Sequence, residues 1–199
     1  MVVVQSNLTV EVAASFEDAF DQLIRPEEWD TLLSNAQSNV VFLTRQWQQT
    51  WWQHFGATAN CQLFLLILRN EGGTLVGVAP IFVAHEALPP AKEYKRGGLR
   101  PEGEGAQLRI VQLVGGKDVA DYLDIIAEPA NMEAVWSSVL TFILSKKNEW
   151  DAIDFHSLPE WSPSREILAR LGPECGLQFE VFPEDVCPII ELPGDWNSY

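Results

Sequence analysis

With 199 residues, the chain is long enough for one large domain or a tightly fused pair of smaller ones. Its 13 basic and 28 acidic residues give a formal net charge of −15, which argues against a nucleic-acid partner and against adsorption to anionic membranes. Hydrophobic residues make up 47% and charged residues 21%, as in ordinary globular proteins, and no apolar stretch approaches the roughly 18 residues that a membrane span needs.

The cysteines and the N-terminus indicate a cytoplasmic protein. Cys61, Cys175 and Cys187 are odd in number and have no CxxC spacing, so we expect them to be reduced, buried thiols. The first residues lack the basic start and the long apolar run of a signal peptide.

The first third of the chain predicts one strand, three helices and a hairpin. Helix starts are indicated at Ser15, Pro26 and Thr44, and a helix end is indicated at Gly56. The predicted elements are a strand over 7–12, helices over 16–24, 26–33 and 45–56, and two strands over 61–68 and 74–84 that are joined by a turn at 70–73. Pro80 within the second hairpin strand predicts a bulge or an unpaired position. Residues 86–107 are predicted to form a long, mobile insertion, because they are rich in proline and glycine.

The chain is organised around residues 108–128, where two apolar runs flank a polar loop. The runs predict buried strands over 108–114 and 122–127, and such loops commonly carry function. The remaining segments predict, in order, a helix over 132–150, a strand over 151–155, a helix from Ser164 to Gly172 capped by Ser162, and apolar strands over 177–182 and 187–192. Strands and helices that interleave in this way indicate an α/β or α+β fold, a mixed sheet covered by helices.

The polar loop and one later loop supply the candidate catalytic residues. Asp121 and Asp124 lie three residues apart with Tyr122 between them, and in a strand Asp124 would share a face with Tyr122. A carboxylate there could hold or deprotonate an amine, and the tyrosine could donate a proton. His156 follows another predicted strand. The alternative is structural: strand-end caps, solvated carboxylates and a hydrogen-bonded histidine. We expect Asp121, Tyr122, Asp124 and His156 to surround one cleft.

An aromatic stripe on the third helix has two interpretations. Trp47, Trp51 and Phe55 recur every four residues, so they lie on one helix face. The stripe is either part of the core, or Trp47 or Trp51 lines a substrate-binding pocket. The histidines are scattered and predict no metal site, and no hydrolase, P-loop or nicotinamide motif is present.

Five ordered blocks carry a family resemblance: FLTRQWQQTWWQHFG, GGTLVGVAPIFV, DYLDII, WDAIDFHSLPEWSP and CPIIELPGDWNSY. Together they resemble the N-terminal half of CelD/BioF-like acetyltransferases of the GNAT superfamily, whose tandem architecture is similar to that of the FemABX enzymes. The resemblance implies a GNAT-like, mixed and mostly antiparallel sheet. It also implies N-acyl transfer from acetyl-CoA or another acyl-CoA to an amine, on a sugar or a cell-envelope precursor, with a link to cellulose biosynthesis.

The resemblance further implies that residues 1–199 form a single GNAT-like domain, with residues 193–199 starting the linker to a second half. That second half would hold the acyl-CoA, so we expect no cofactor on this half alone, and its enzymatic status by itself stays open. The expected partners are a small amine or sugar acceptor and the second half, or another copy of this chain. The rival interpretation is a non-catalytic binding or domain-docking module.

One string matches the GNAT pyrophosphate loop, Q/R-x-x-G-x-G/A, letter for letter. It spans Arg100 to Gly105. We reject it, because a strand follows it rather than a helix whose N-terminus could face the phosphates, and Glu102 and Glu104 would repel them.

Overall fold

The computed structural model describes residues 7–57, 60–87, 107–116 and 119–184, together with residues 186, 188, 190, 191, 194 and 195. Within them, six strands form one sheet in the order β1-β2-β3-β4-β6, and β5 pairs with β3. The strands are β1 (Thr9–Ala13), β2 (Cys61–Arg69), β3 (Leu75–Ala87), β4 (Gln107–Leu113), β5 (Ile126–Ala127) and β6 (Ala152–Ile153).

The sheet is mixed and mostly antiparallel, as predicted. All described pairings are antiparallel except that of β4 with β6, which is parallel. A parallel neighbour needs a crossover connection, and a helix supplies it here between β5 and β6. The predicted fold class, a mixed sheet covered by helices, is confirmed.

Pro80 marks the place where β3 changes its neighbour. The β2–β3 register runs through the Leu65–Pro80 pair, and its one irregularity lies at Leu68 and Arg69 instead. On its other side, β3 pairs with β4 from Ile81 onward and with β5 at Gly77 and Val78. Because proline has no N–H to donate, a break between two partner strands is a position that tolerates it.

Five α-helices cover the described sheet: α1 (Phe16–Asp18), α2 (Pro26–Ser34), α3 (Arg45–Trp51), α4 (Met132–Ser145) and α5 (Ser164–Glu174). Two of the predicted helices are α-helical only in their first part. Helix α1 continues as a π-helical turn over Ala19–Leu23, and α3 continues as one over Trp52–Gly56. Two predicted caps are present: Ser15 Oγ accepts a hydrogen bond from Asp18 N at 3.0 Å, and Thr44 Oγ1 accepts one from Trp47 N at 3.4 Å. The predicted cap of α5 is not, because Pro163 rather than Ser162 is the N-cap residue and no side chain caps the helix.

The core lies on both faces of the sheet. Six consecutive β2 residues, from Leu63 to Leu68, are buried, and successive strand residues point to opposite faces. Helix α4 packs especially close to β3, because a Cβ at Gly77 would lie 2.6 Å from Val135 Cγ2. A side chain at Gly77 would therefore push α4 away from the sheet.

Three sequence predictions are corrected or narrowed. The predicted strand over 122–127 is only the two-residue β5, because residues 122–125 form no strand. The predicted strand over 177–182 is wrong; Leu177 and Phe179 pack against the core without joining the sheet. The described positions between 186 and 191 form no strand either.

Some predictions fall partly or wholly outside the described residues. Strand β3 continues through Ala87 and β4 begins at Gln107, and the rest of the predicted insertion over 86–107 lies outside. The string from Arg100 to Gly105, Cys187 and most of 193–199 lie outside as well. Cys61 and Cys175 are free thiols, and both are half-buried rather than buried.

Candidate functional site

The candidate site forms where the two parallel strands, β4 and β6, end. The strands pair through Ile110–Ala152 and Val111–Ile153. Beyond this pair, Ser157 joins the two following loops: its carbonyl oxygen accepts a hydrogen bond from Leu123 N at 2.9 Å, and its hydroxyl donates to Ala120 O at 3.0 Å. Asp121 and Tyr122 lie between these two anchors, so the structure brings them to the same edge as His156.

Asp124 lies in the interior, where it organises a polar cluster. Its side chain accepts hydrogen bonds from Ser38 Oγ (3.0 Å), Ser162 Oγ (2.5 Å), Ser164 Oγ (2.6 Å) and Ile125 N (2.8 Å), and the residue is 0% exposed. Burial raises the pKa of the Asp124 carboxyl above its usual range, and the three serine hydroxyls and the amide oppose that shift. We call these residues, Ser38, Asp124, Ser162 and Ser164, the Asp124 cluster.

The Asp124 cluster differs from the predicted catalytic arrangement. The strand face that Asp124 was predicted to share with Tyr122 does not form, because residues 122–125 are not a strand, and Asp124 is buried. Its four hydrogen bonds fill the usual acceptor positions of a carboxylate. It can therefore hold chain segments together, and it does not reach a ligand at the surface.

His156 lies between two carboxylates. Its Nε2 lies 3.2 Å from Asp154 Oδ2, and its Nδ1 is in close contact with Glu184 Oε1. The other oxygen of Glu184 accepts a hydrogen bond from Ser157 N at 2.7 Å. We call these residues, Asp154, His156, Ser157 and Glu184, the His156 cluster.

The two contacts of His156 favour its charged form. Burial by itself lowers the pKa of His156, but the hydrogen bonds and charges of Asp154 and Glu184 outweigh it and raise the pKa. Only an imidazolium can donate from both ring nitrogens at once. Both ring nitrogens face carboxylate oxygens of the chain, so the ring can hold the segments of Asp154 and Glu184 together.

Aromatic rings form a continuous row beside Asp121. The ring centroids of Trp47 and Phe42 are 5.0 Å apart, those of Phe42 and Tyr122 are 6.5 Å apart, and those of Tyr122 and Trp161 are 4.7 Å apart. Trp161, at the end of the row, is 49% exposed. Trp161 was not predicted as a site residue, nor were Ser162 and Ser164 predicted as partners of Asp124. A tryptophan in a loop between Pro159 and Ser162 is a signal that could have pointed to Trp161.

Trp47 and Trp51 lie in different surroundings. Trp47 is half-buried in the aromatic row, whereas Trp51 is buried against Phe82, with ring centroids 5.7 Å apart. The path of the loop after β4 depends on this packing, because a Cβ at Gly116 would lie 2.7 Å from Trp51 Cζ2. For Trp51 the contacts favour the core interpretation of the stripe, and of the two tryptophans only Trp47 belongs to the aromatic row.

The start of α4 does not fit a CoA pyrophosphate. The segment before it contains Glu128 and Pro129, and its first turn contains Glu133. A carboxylate repels a phosphate, and proline has no N–H to offer one. No group of three or more histidine, cysteine, aspartate or glutamate side chains among the described residues is arranged to hold a metal ion. No helix in the described ranges is long and apolar enough to cross a membrane.

Comparisons with known proteins place N-acetyltransferases among the similar structures. No protein-family model matches the sequence, and no curated protein matches it. An aminoglycoside antibiotic 6′-N-acetyltransferase from Acinetobacter baumannii is 9% identical at a TM-score of 0.48, with 94% of this chain and 99% of that chain covered. A ribosomal-protein-alanine N-acetyltransferase from Brucella melitensis biovar Abortus is 15% identical at a TM-score of 0.41, with 92% and 99% covered.

A mutant of the BH1408 protein from Bacillus halodurans is also similar, at 12% identity and a TM-score of 0.47, with 91% of this chain and 99% of that chain covered. All three TM-scores lie below 0.5. The fold class therefore rests on the sheet order and strand directions given above, and the function has to be argued from the site.

Proposed function

We propose that this domain is the N-terminal, acceptor-binding half of a CelD/BioF-like N-acyltransferase of the GNAT superfamily. In this proposal the acceptor is an amine on a sugar or a cell-envelope precursor, and the acyl group comes from acyl-CoA in the cytoplasm. The second half holds the acyl-CoA. The five sequence blocks support the family, and the unsuitable start of α4 supports placing the CoA site elsewhere.

One observation carries the proposal: the loops that follow the parallel strands are hydrogen-bonded to each other and present an exposed carboxylate beside aromatic rings. Asp121 is exposed, and the next residue, Tyr122, contacts the ring of Trp161. A carboxylate in this position can bind the ammonium form of an acceptor and take up its proton, and the rings can orient the attached group. Asp124 and His156 contribute by holding the two loops in place.

The test is N-acyl transfer by the full-length protein, with this domain joined to the proposed second half. We expect Asp121→Asn to lower kcat or raise KM for the amine by about 10- to 1000-fold while leaving the unfolding midpoint unchanged, because the carboxylate is exposed. Asp21→Asn, at another exposed aspartate on the first helical segment, is the matched control. Unchanged kinetics in Asp121→Asn would remove Asp121 from the reaction.

The same proposal predicts no measurable acetyl-CoA binding by residues 1–199 alone. Calorimetric titration checks this expectation. Micromolar binding that Gly103→Ala or Gly105→Ala abolishes would instead assign the cofactor to this half and would contradict our rejection of the loop from Arg100 to Gly105.

A second candidate function, a domain-docking module, is favoured by the exposed apolar side chains late in the chain. Four large ones are between 51% and 82% exposed: Val181, Phe182, Val186 and Ile190. Such side chains commonly mark a protein–protein contact. Light scattering with and without the separately expressed second half tests docking, with Phe182→Ser plus Ile190→Ser as the disrupting variant. A domain that stays monomeric and does not bind the second half would exclude this function.

A further inference from the structure

The strongest unassigned feature is the pair of rings formed by Tyr122 and Trp161. Their centroids lie 4.7 Å apart and their planes are inclined by 58°. Tyr122 is half-buried, and the more exposed Trp161 has 49% of its surface accessible to solvent. Indole is among the side chains that gain most from burial, so an exposed indole on an ordered loop offers a flat, apolar surface to a ligand.

Hydrogen bonds fix the backbone next to each ring of the pair. On one side, Ser162 and Ser164 donate to Asp124 at 2.5 and 2.6 Å, which fixes the chain directly after Trp161. On the other side, Leu123 N donates to Ser157 O at 2.9 Å, which fixes the chain directly after Tyr122. Because both rings are anchored by the next residue, a ligand loses little free energy in ordering them.

Each ring of the pair follows an exposed carboxylate in the chain: Asp121 precedes Tyr122, and Glu160 precedes Trp161. The charged side chains within residues 119–124 and 157–164 are Asp121, Asp124 and Glu160. The nearest basic residue in the described chain is Arg165, four positions after Trp161. The nearby ring of His156 faces the carboxylates of Asp154 and Glu184. Each ring is therefore preceded in the chain by an exposed acidic side chain, and the net charge of −15 adds a long-range attraction for cations.

From this combination we infer that Trp161 and Tyr122, with Asp121 and Glu160, bind an amino sugar, that is, a pyranose ring that carries a primary ammonium group. The apolar C–H face of the pyranose packs on the indole, whose π face is negative, and the ammonium group pairs with a carboxylate. This inference rests on the proposed function and deepens it, because it assigns the sugar ring of the acceptor to the indole of Trp161 and adds Glu160 as a second carboxylate for its ammonium group. The binding itself does not depend on acyl transfer.

Glucosamine is the probe, and residues 1–199 are titrated with it while tryptophan fluorescence and amide NMR shifts are followed. Glucose is the neutral comparison. We expect glucosamine to bind at least about threefold more tightly than glucose, and added salt to reduce the difference, because the extra affinity is electrostatic. Equal affinities for the two sugars would overturn the ammonium part of the inference.

The variants test the ring and the carboxylates separately. We expect Trp161→Ala to weaken glucosamine binding by about 3- to 10-fold and Trp161→Phe to restore part of the affinity, since a ring is regained. Glu160→Gln and Asp121→Asn should each remove part of the preference over glucose. Phe55→Ala, which removes another exposed ring at 59% exposure, is the matched control and should change nothing.

No glucosamine binding, or binding that Trp161→Ala leaves unchanged, would overturn the inference. Failure of this inference can be distinguished from failure of the proposed function. Glucosamine binding at Trp161 without N-acyl transfer by the full-length protein would refute the function and keep the site. Transfer to an amine that is insensitive to Trp161→Ala would keep the function and refute the site.

Discussion

The Asp124 cluster and the His156 cluster both hold chain segments together, but the first is buried among neutral donors and the second contains charged partners. Both use one ionisable side chain to join segments that are distant in the sequence. Asp124 is fully buried among neutral hydroxyl donors, whereas His156 lies near the surface between two carboxylates. In both clusters the contacts of the ionisable side chain go to other parts of the chain, and these contacts position the loops.

The two clusters should also respond differently to perturbation. A buried carboxylate with four hydrogen bonds cannot be removed without leaving its donors unsatisfied in the interior. A partly exposed ion pair is screened by solvent and contributes less. Its contribution also depends on pH, because His156 is charged only below its folded-state pKa, which the two carboxylates raise.

The largest expected effect follows the removal of Asp124. We expect Asp124→Ala to lower the free energy of unfolding by about 3–5 kcal/mol, because three serine hydroxyls and one amide lose their acceptor in the interior. Urea denaturation followed by tryptophan fluorescence measures it. Asp121→Ala, at the exposed aspartate three residues earlier, is the control and should stay within about 0.5 kcal/mol of the unaltered protein. Equal effects of the two changes would show that Asp124 does not hold the interior together.

An intermediate effect is expected at Ser164. Its hydroxyl donates to Asp124 at 2.6 Å and accepts from the buried Trp136 Nε1 at 2.7 Å. Ser164→Ala leaves the indole N–H and one carboxylate oxygen with one partner fewer, so we expect a loss of about 1–3 kcal/mol in the free energy of unfolding. A double-mutant cycle with Asp124→Asn checks the coupling, and strict additivity would contradict a shared network.

The smallest effect is expected at His156, and it depends on pH. Because the pKa of His156 is raised in the folded state, its stabilising contribution is fully present below the ordinary histidine pKa, about 6.5, and is lost as the pH rises through the folded value. We expect His156→Gln to cost about 1 kcal/mol at pH 6 and less at pH 9.

The pH series of unfolding free energies has Glu184→Gln as its matched control. That variant keeps a hydrogen-bond acceptor for Ser157 N but removes one of the two charges that face His156, so it should reduce the pH dependence without abolishing it. A cost of His156→Gln that does not vary between pH 6 and 9 would show that the imidazolium does not hold the loops.

Local sequence rules predicted most of the regular elements. The hairpin of β2 and β3 follows from a dense apolar run, a polar turn with two glycines and a second apolar run, and its strands pair in register over nearly their whole length. The start of α2 follows from Pro26 at its first position, whereas α5 begins two residues after its predicted cap, Ser162. Such signals act between residues that are close in the chain, so they can be read without knowing the fold.

The end of the chain shows the limit of these rules. The apolar alternation after Gly176 predicted a strand, but residues 177–184 form none. A strand needs a neighbour to receive its backbone hydrogen bonds, and no local pattern states whether that neighbour is within reach.

Tertiary structure alone decided that Asp121 is exposed and Asp124 is buried. The sequence places both carboxylates in one short loop, and their spacing contains no information on which of them is buried. Ser38, which donates to Asp124, lies 86 positions earlier in the chain, and Ser162 and Ser164 lie 38 and 40 positions later. The sequence determined that a polar loop with aromatic and acidic residues ends a central strand. Only the folded chain decided which carboxylate faces solvent, because that depends on donors that long-range packing brings together.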